Sequence, residues 1–180
     1  IKFYERREIK DMLAYLTVLF NPDDDYSLKR IINVPKRGLG KTSIEKFEAE
    51  AHRRNCSMVE LLPHVDQVEG LQPKAAKAIG SFGAVLSSLR EMATTLPVNE
   101  LVPAIWEKTG YLDELKAEDP SDSEGRLDNL EELVSVARQF HLENPPDADG
   151  QGGGLGEFLS QMSLLTDLDN NDPAQAVERL

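Results

Sequence analysis

Arg30-Ile31-Ile32-Asn33-Val34-Pro35-Lys36-Arg37-Gly38-Leu39-Gly40-Lys41-Thr42-Ser43-Ile44-Glu45 admits two incompatible folds, a strand running into a phosphate loop or two helices joined by a glycine turn. Gly40-Lys41-Thr42, after the strand-like Arg30 to Val34, has the outline of a phosphate-binding loop, which ends in Gly-Lys-[Ser/Thr] at a helix start. That motif needs a glycine five residues before Gly40, where the backbone wraps around phosphates. The position holds Pro35, which has no N–H to donate. Nucleotide binding at this site is therefore rejected. Asn33-Val34-Pro35 instead ends a short helical pattern through Leu28, Ile31 and Ile32, and Thr42-Ser43-Ile44-Glu45 fits a capping box with Thr42 as N-cap and Glu45 three residues on. The helix so opened would turn Ile44, Phe47 and Ala51 inward. The local unit is helix, glycine turn, helix.

Upstream, Ile9, Met12, Leu13, Leu16, Leu19 and Phe20 form the stripe of an amphipathic helix over 5–20, which Asn21-Pro22 ends. Asp23, Asp24 and Asp25 offer carboxylates to the positive end of the next helix. Downstream, helices are predicted over 57–62, 74–93, 99–109, 111–117, a strong one after Pro120, and 155–168. Gly80 and Gly83 weaken the second, Gly110 is a natural stop for the third, and Ser121 with Glu124 is a second capping-box candidate. The strong helix would align Leu127, Leu130, Val134, Ala137 and Phe140. Residues 143–154, with two prolines, four glycines and three acids, are expected to form a flexible loop. No segment alternates with period two, so the fold class is all-α.

The chain has 180 residues, 40% hydrophobic, enough for one core, and no apolar run approaches the ~20 residues that span a bilayer. Ile1 at the start and the lack of a leader pattern suggest a piece of a longer chain. One cysteine, Cys56, and the scattered His52, His64 and His141 argue against a disulfide scaffold and a zinc module, and point to the reducing cytoplasm. The net charge of −12 argues against indiscriminate coating of nucleic acid. The distribution is uneven: residues 29–54 carry eight Lys/Arg against three acids, whereas 113–180 carry four against seventeen. Any contact with DNA or RNA is thus local.

Gly38-Leu39-Gly40 between two short helices fits a helix-hairpin-helix turn, whose glycines allow close approach and whose following helix presents backbone N–H groups to a DNA phosphate. Lys36, Arg37 and Lys41 would flank that anion. The plainer alternative is a turn with solvated lysines; the clustered positive charge tilts the balance toward the phosphate contact. Asp23-Asp24-Asp25 lacks the alternation of a calcium loop and is read as helix capping. Trp106 sits on an apolar face and is read as core rather than a stacking platform, Cys56 as an inert, partly buried thiol, and Glu131-Glu132 as a solvated pair. No catalytic centre and no metal site assemble from these residues.

Phe3-Tyr4-Glu5-Arg6-Arg7-Glu8-Ile9 through Leu16, then Asn21-Pro22-Asp23-Asp24-Asp25 and Arg30 to Gly40, closely resembles superfamily 1 DNA helicases of the UvrD/PcrA/Rep type. Lys108-Thr109-Gly110-Tyr111, Arg126 to Leu133 and Leu164 to Asp169 resemble later landmarks of the same region, closest to the PcrA branch. The resemblance implies the 2B subdomain, an all-helical insertion in the second RecA-like motor domain. It divides the chain into a border helix over 1–22, the helical subdomain over 23–168, and a return linker over 169–180.

The implied parent is an ATP-dependent 3′–5′ DNA helicase of replication restart and repair, using ATP and Mg2+ bound elsewhere, so this fragment itself would hold no cofactor and no catalytic site. The implied role is contact with duplex DNA, or a single-strand/duplex junction, through Lys36, Arg37, Gly38, Leu39, Gly40, Lys41, Thr42 and Ser43, with a swivel that regulates unwinding. Leu39 stands where the family usually has isoleucine. Arg126, Asp128 and Asn129 match the family and are expected to be structural or hinge residues. The implied partners are DNA, the parent's motor domains and regulatory proteins, with no membrane. The alternative is an acidic helical protein-interaction module without direct DNA binding.

Overall fold

A computed structural model of the chain describes residues 2–118, 120–149 and 153–170. Among these residues every regular element is helical. After a 3-10 turn at Phe3–Glu5 come α1 (Arg7–Phe20), α2 (Asp25–Ile31), α3 (Lys41–Arg53), α4 (Met58–Leu61) with a 3-10 continuation over Leu62–Gln67, α5 (Pro73–Ala93), α6 (Val98–Thr109), α7 (Tyr111–Lys116), α8 (Pro120–Glu143) and α9 (Leu155–Asn170). No helix among the described residues is long and apolar enough to cross a membrane.

The amphipathic stripe expected of α1 exists, but burial extends around more of the helix than a stripe. Ile9, Met12, Tyr15, Leu16 and Val18 have no exposed surface, and the polar Glu8 and Asp11 are buried beside them. The reason is tertiary: α1 packs against α2, α5, α6, α8 and α9. Each large apolar side chain so enclosed contributes about 1.5–3 kcal/mol.

The helix ends follow local chemistry in most places. Asp24 caps α2, its carboxylate accepting from the Ser27 N–H at 3.0 Å, and Ser57 caps α4 by accepting from the Glu60 N–H at 3.1 Å. Gly110, at φ +78°, closes α6 in the left-handed conformation that L side chains resist. Of the two glycines inside α5, Gly83 has a packing reason: a Cβ there would lie 3.1 Å from the Leu62 Cβ, so the small residue lets the 3-10 segment lie close against α5, whereas a Cβ on Gly80 would make ordinary contact with Val65 at 3.6 Å. α6 carries Pro103 in its interior without breaking.

Two capping expectations fail. α3 begins at Lys41, so Gly40 is its N-cap and Thr42 lies inside the first turn; Glu45 pairs with Lys41 across one turn instead of bonding back. α8 begins at Pro120, whose fixed φ suits a first helical position, which puts Ser121 inside the helix.

The face expected on α8 is present, with Leu130, Leu133, Ala137 and Phe140 buried and Leu127 and Val134 partly so. Phe140 meets Phe158 of α9 edge to face, ring centroids 5.4 Å apart. The connection between α8 and α9 was expected to be a flexible loop; residues 150–152 of it, and 171–180 of the expected return linker, lie outside the described residues.

Candidate nucleic-acid interface

The segment between α2 and α3 is built from Asn33. Its side-chain oxygen accepts from the Arg37 N–H at 2.7 Å and the Leu39 N–H at 3.3 Å, while its amide donates to the Leu39 carbonyl at 2.9 Å. One side chain thus satisfies three backbone groups of the turn, as asparagine does in short irregular loops. Gly38 takes φ +77°, the left-handed region. Leu39 is buried in the core, which anchors the turn from beneath.

Gly40 differs from Gly38. Its backbone is extended at φ −86°, ψ 168°, and a Cβ placed there would meet nothing within 4 Å. Nothing among the described residues requires a glycine at this position. No side chain caps the amino end of α3, so the N–H groups of Lys41, Thr42 and Ser43 end a helix whose dipole favours an anion there.

The cluster of positive charge is largely consumed within the fold. Lys29 pairs with Glu48 at 2.6 Å, Arg30 with Asp11 at 3.0 Å, Arg53 with Glu50, and Arg54 with Glu50 and Gln67. The Lys46 ammonium donates to the Gly70 carbonyl at 2.9 Å. Arg37 points inward: its guanidinium donates to the carbonyls of Ile31 (2.8 Å) and Ile32 (2.9 Å) and to the Tyr15 hydroxyl (2.9 Å), and lies 4.5 Å from the centre of the Phe82 ring. Of the flanking cations named from the sequence, Lys36 and Lys41 are exposed; the Lys41 side chain, 91% exposed, makes only a long 3.8 Å pair with the exposed Glu45. The turn also acquires Lys74 from α5, whose Cε lies 4.0 Å from where a Gly38 Cβ would sit. Spacing along the chain gives no sign of Lys74, which is brought in by packing; Asn33 carried a signal, an asparagine just ahead of a glycine turn.

A second polar cluster surrounds the first half of α1. The Asp11 carboxylate accepts from Arg30 and, at 2.9 Å, from the Tyr111 hydroxyl. Burial pushes its carboxyl above the usual aspartate range, against the opposing pull of Tyr111 and Arg30. Burial and the neighbouring carboxylate push the Tyr111 hydroxyl far up in turn.

Asn129 accepts from Arg6 and donates to the buried Glu8 at 2.6 Å; Arg126 pairs with Glu118, which also holds Arg7 at 3.2 Å. Asp128 is exposed. Asn129 therefore ties α8 to the start of α1, and Arg126 reaches the same corner through Glu118. The cleft of about 700 Å³ beside this cluster is lined by Arg7, Asp11, Arg30, Lys36, Tyr111 and Glu118 among others, and most of these charges are spent on one another. Among the described residues no three His, Cys, Asp or Glu side chains converge as metal ligands would.

Comparison with known proteins identifies the family. The chain is 40% identical over 171 residues to the ATP-dependent DNA helicase PcrA of Bacillus subtilis, covering 95% of this chain and 22% of that protein. It is 40% identical over 176 residues to the protein of the same name from Staphylococcus epidermidis, and 38% identical over 176 residues to that of Staphylococcus aureus. The chain spans about a quarter of the length of these relatives. The family described as the UvrD-like helicase C-terminal domain matches residues 1–178, and the chain belongs to that family.

Proposed function

We propose that this chain is the helical 2B subdomain of an ATP-dependent 3′–5′ DNA helicase, non-catalytic in itself, which contacts duplex DNA ahead of the junction and regulates unwinding by swivelling. The observation that carries the reading is the open amino end of α3: an uncapped helix start, a Gly40 with no internal need to be glycine, and the exposed Lys36 and Lys41 beside it. A phosphate seated there accepts from the amides of Lys41, Thr42 and Ser43 and meets cations on either side. Such contacts hold a duplex without reading its sequence. In this reading Gly38 and Leu39 shape the turn, Gly40 lets the DNA backbone approach, and Lys74 widens the basic edge. On the same reading ATP and Mg2+ belong to motor domains outside these residues; the names of the relatives, ATP-dependent DNA helicases, support an ATP-dependent parent.

The proposed boundaries are 1–22 for the border helix with the motor domain, 23–168 for the subdomain and 169–180 for the return. The packing of α9 against the 3-10 turn at Phe3–Glu5 supports an insertion, since it brings early and late segments together. Arg126 and Asn129, with Asp128 between them, are proposed to hold α8 to α1 at that base.

The test is titration of the wild type and a Lys36→Glu/Lys41→Glu form against a labelled duplex with a 3′ single-stranded tail at several salt concentrations. Wild-type affinity should fall steeply with salt, and removing each phosphate contact should reduce the log–log slope by about 0.9. Equal binding by both forms, with unwinding by the full-length protein unaffected, refutes the contact and favours an acidic protein-interaction module.

A further inference from the structure

Arg37 is one of the three cations that the sequence offers to DNA beside the turn, yet its guanidinium is committed inside the fold. Two N–H groups of one nitrogen reach the Ile31 and Ile32 carbonyls at the carboxyl end of α2, where helix carbonyls lose their intrahelical partners; Ile31 also accepts from the Val34 N–H at 3.0 Å. The other terminal nitrogen donates to the Tyr15 hydroxyl, whose own proton goes to the Val34 carbonyl. The guanidinium carbon lies over the Phe82 ring of α5, a cation–π contact. One side chain thereby joins α1, α2 and α5 directly beneath the turn, while Asn33 binds the Arg37 and Leu39 amides from above.

We infer that Arg37 is a positioning residue of the duplex-binding turn, acting with the fully buried Tyr15 to hold the Gly38–Gly40 backbone against α1, and that it does not itself neutralise a phosphate. The inference rests on the proposed DNA contact. Its chemistry is specific to a planar fork: a lysine supplies the same charge but cannot donate from two separate nitrogens to two carbonyls and a hydroxyl. Tyr15 has no exposed surface, so any effect of its hydroxyl on DNA binding passes through the turn.

The experiment measures duplex affinity against salt for the full-length protein carrying Arg37→Gln, Arg37→Lys, Tyr15→Phe, Lys36→Gln or Lys41→Gln, with folding checked by thermal melting. Arg37→Gln is expected to weaken binding by about tenfold while leaving the salt slope at its wild-type value, because no phosphate contact is lost. Arg37→Lys should fail to restore affinity. Tyr15→Phe, the mildest change, should weaken binding in the same direction, and combined with Arg37→Gln should add little to it. The lysine variants should each lower the slope by about 0.9. A slope reduced by Arg37→Gln and restored by Arg37→Lys, with Tyr15→Phe silent, would make Arg37 a direct phosphate contact and overturn the inference. If the lysine variants are silent as well, the turn is not the contact, and the reading on which the inference rests falls with it.

Discussion

The two glycines of the turn should separate cleanly under substitution, because one is required by the backbone and the other by what approaches it. Gly38 sits at φ +77°, where a Cβ costs about 1–2 kcal/mol, so Gly38→Ala should lower the melting temperature by about 2–8 °C for a chain of this size. Gly40 is extended with open space at its Cβ position, so alanine meets no clash. Alanine there restricts the unfolded chain, a gain of about 0.4–1 kcal/mol, and is a poorer N-cap than glycine by a similar amount, so stability should stay within about 0.5 kcal/mol of wild type. Duplex binding should behave the opposite way. A methyl group at Gly40 holds a phosphate away from the α3 amides, and loss of charge-assisted hydrogen bonds worth about 1.5–3 kcal/mol corresponds to roughly ten- to a hundredfold weaker binding. Thermal melting and fluorescence anisotropy with a labelled duplex read the two effects on the same samples. Wild-type duplex affinity in Gly40→Ala, or a melting shift as large as that of Gly38→Ala, would refute the reasoning.

Three further outcomes follow from the packing. Asn129→Leu removes the donor to the buried Glu8 and should cost about 1–3 kcal/mol in denaturant unfolding, whereas Asp128→Asn, on the exposed side of the same turn, should stay within about 0.5 kcal/mol. Phe158→Ala empties a fully buried site against Phe140 and should cost about 3–5 kcal/mol, while Leu164→Ala on the outer side of α9 should barely register. Asp11, held above the ordinary aspartate range by burial, takes up its proton in the native chain before the unfolded one does. Its contribution to stability is therefore gained as pH falls through the folded value and lost as pH rises through the window between the unfolded and folded values. Carbon-13 NMR of the Asp11 carboxyl should titrate above the usual range, and Asp11→Asn should flatten that part of the stability profile.

Helix positions were legible because their signals are short-range. Apolar spacing placed α1, α5, α6, α8 and α9 to within a residue or two; Gly110 stops α6 as expected, one of the three aspartates, Asp24, caps α2, and Ser57, read as the first residue of a helix, is instead the cap of α4. The same local reasoning misplaced the cap of α3, since Thr42 and Glu45 satisfy a four-residue pattern that a helix starting at Lys41 does not use. The fully buried Ala51 and Phe47 were expected, but the burial of Glu8 and Asp11 on α1 was not. Their partners, Asn129 and Tyr111, are about a hundred residues or more away in the chain.

By itself the sequence determined that the chain is helical, where most helices start and stop, and that a basic glycine turn lies between the second and third. These depend on side-chain periodicity and on capping within a few residues. Which of those cations stay available to a ligand depends on packing between distant segments. Lys29, Arg30, Arg53 and Arg54 are drawn into ion pairs, Arg37 is drawn onto Tyr15 and Phe82, and Lys74 arrives from α5. A charge is a property of a residue, but its availability is set by whatever acceptors the rest of the chain brings within about 4 Å.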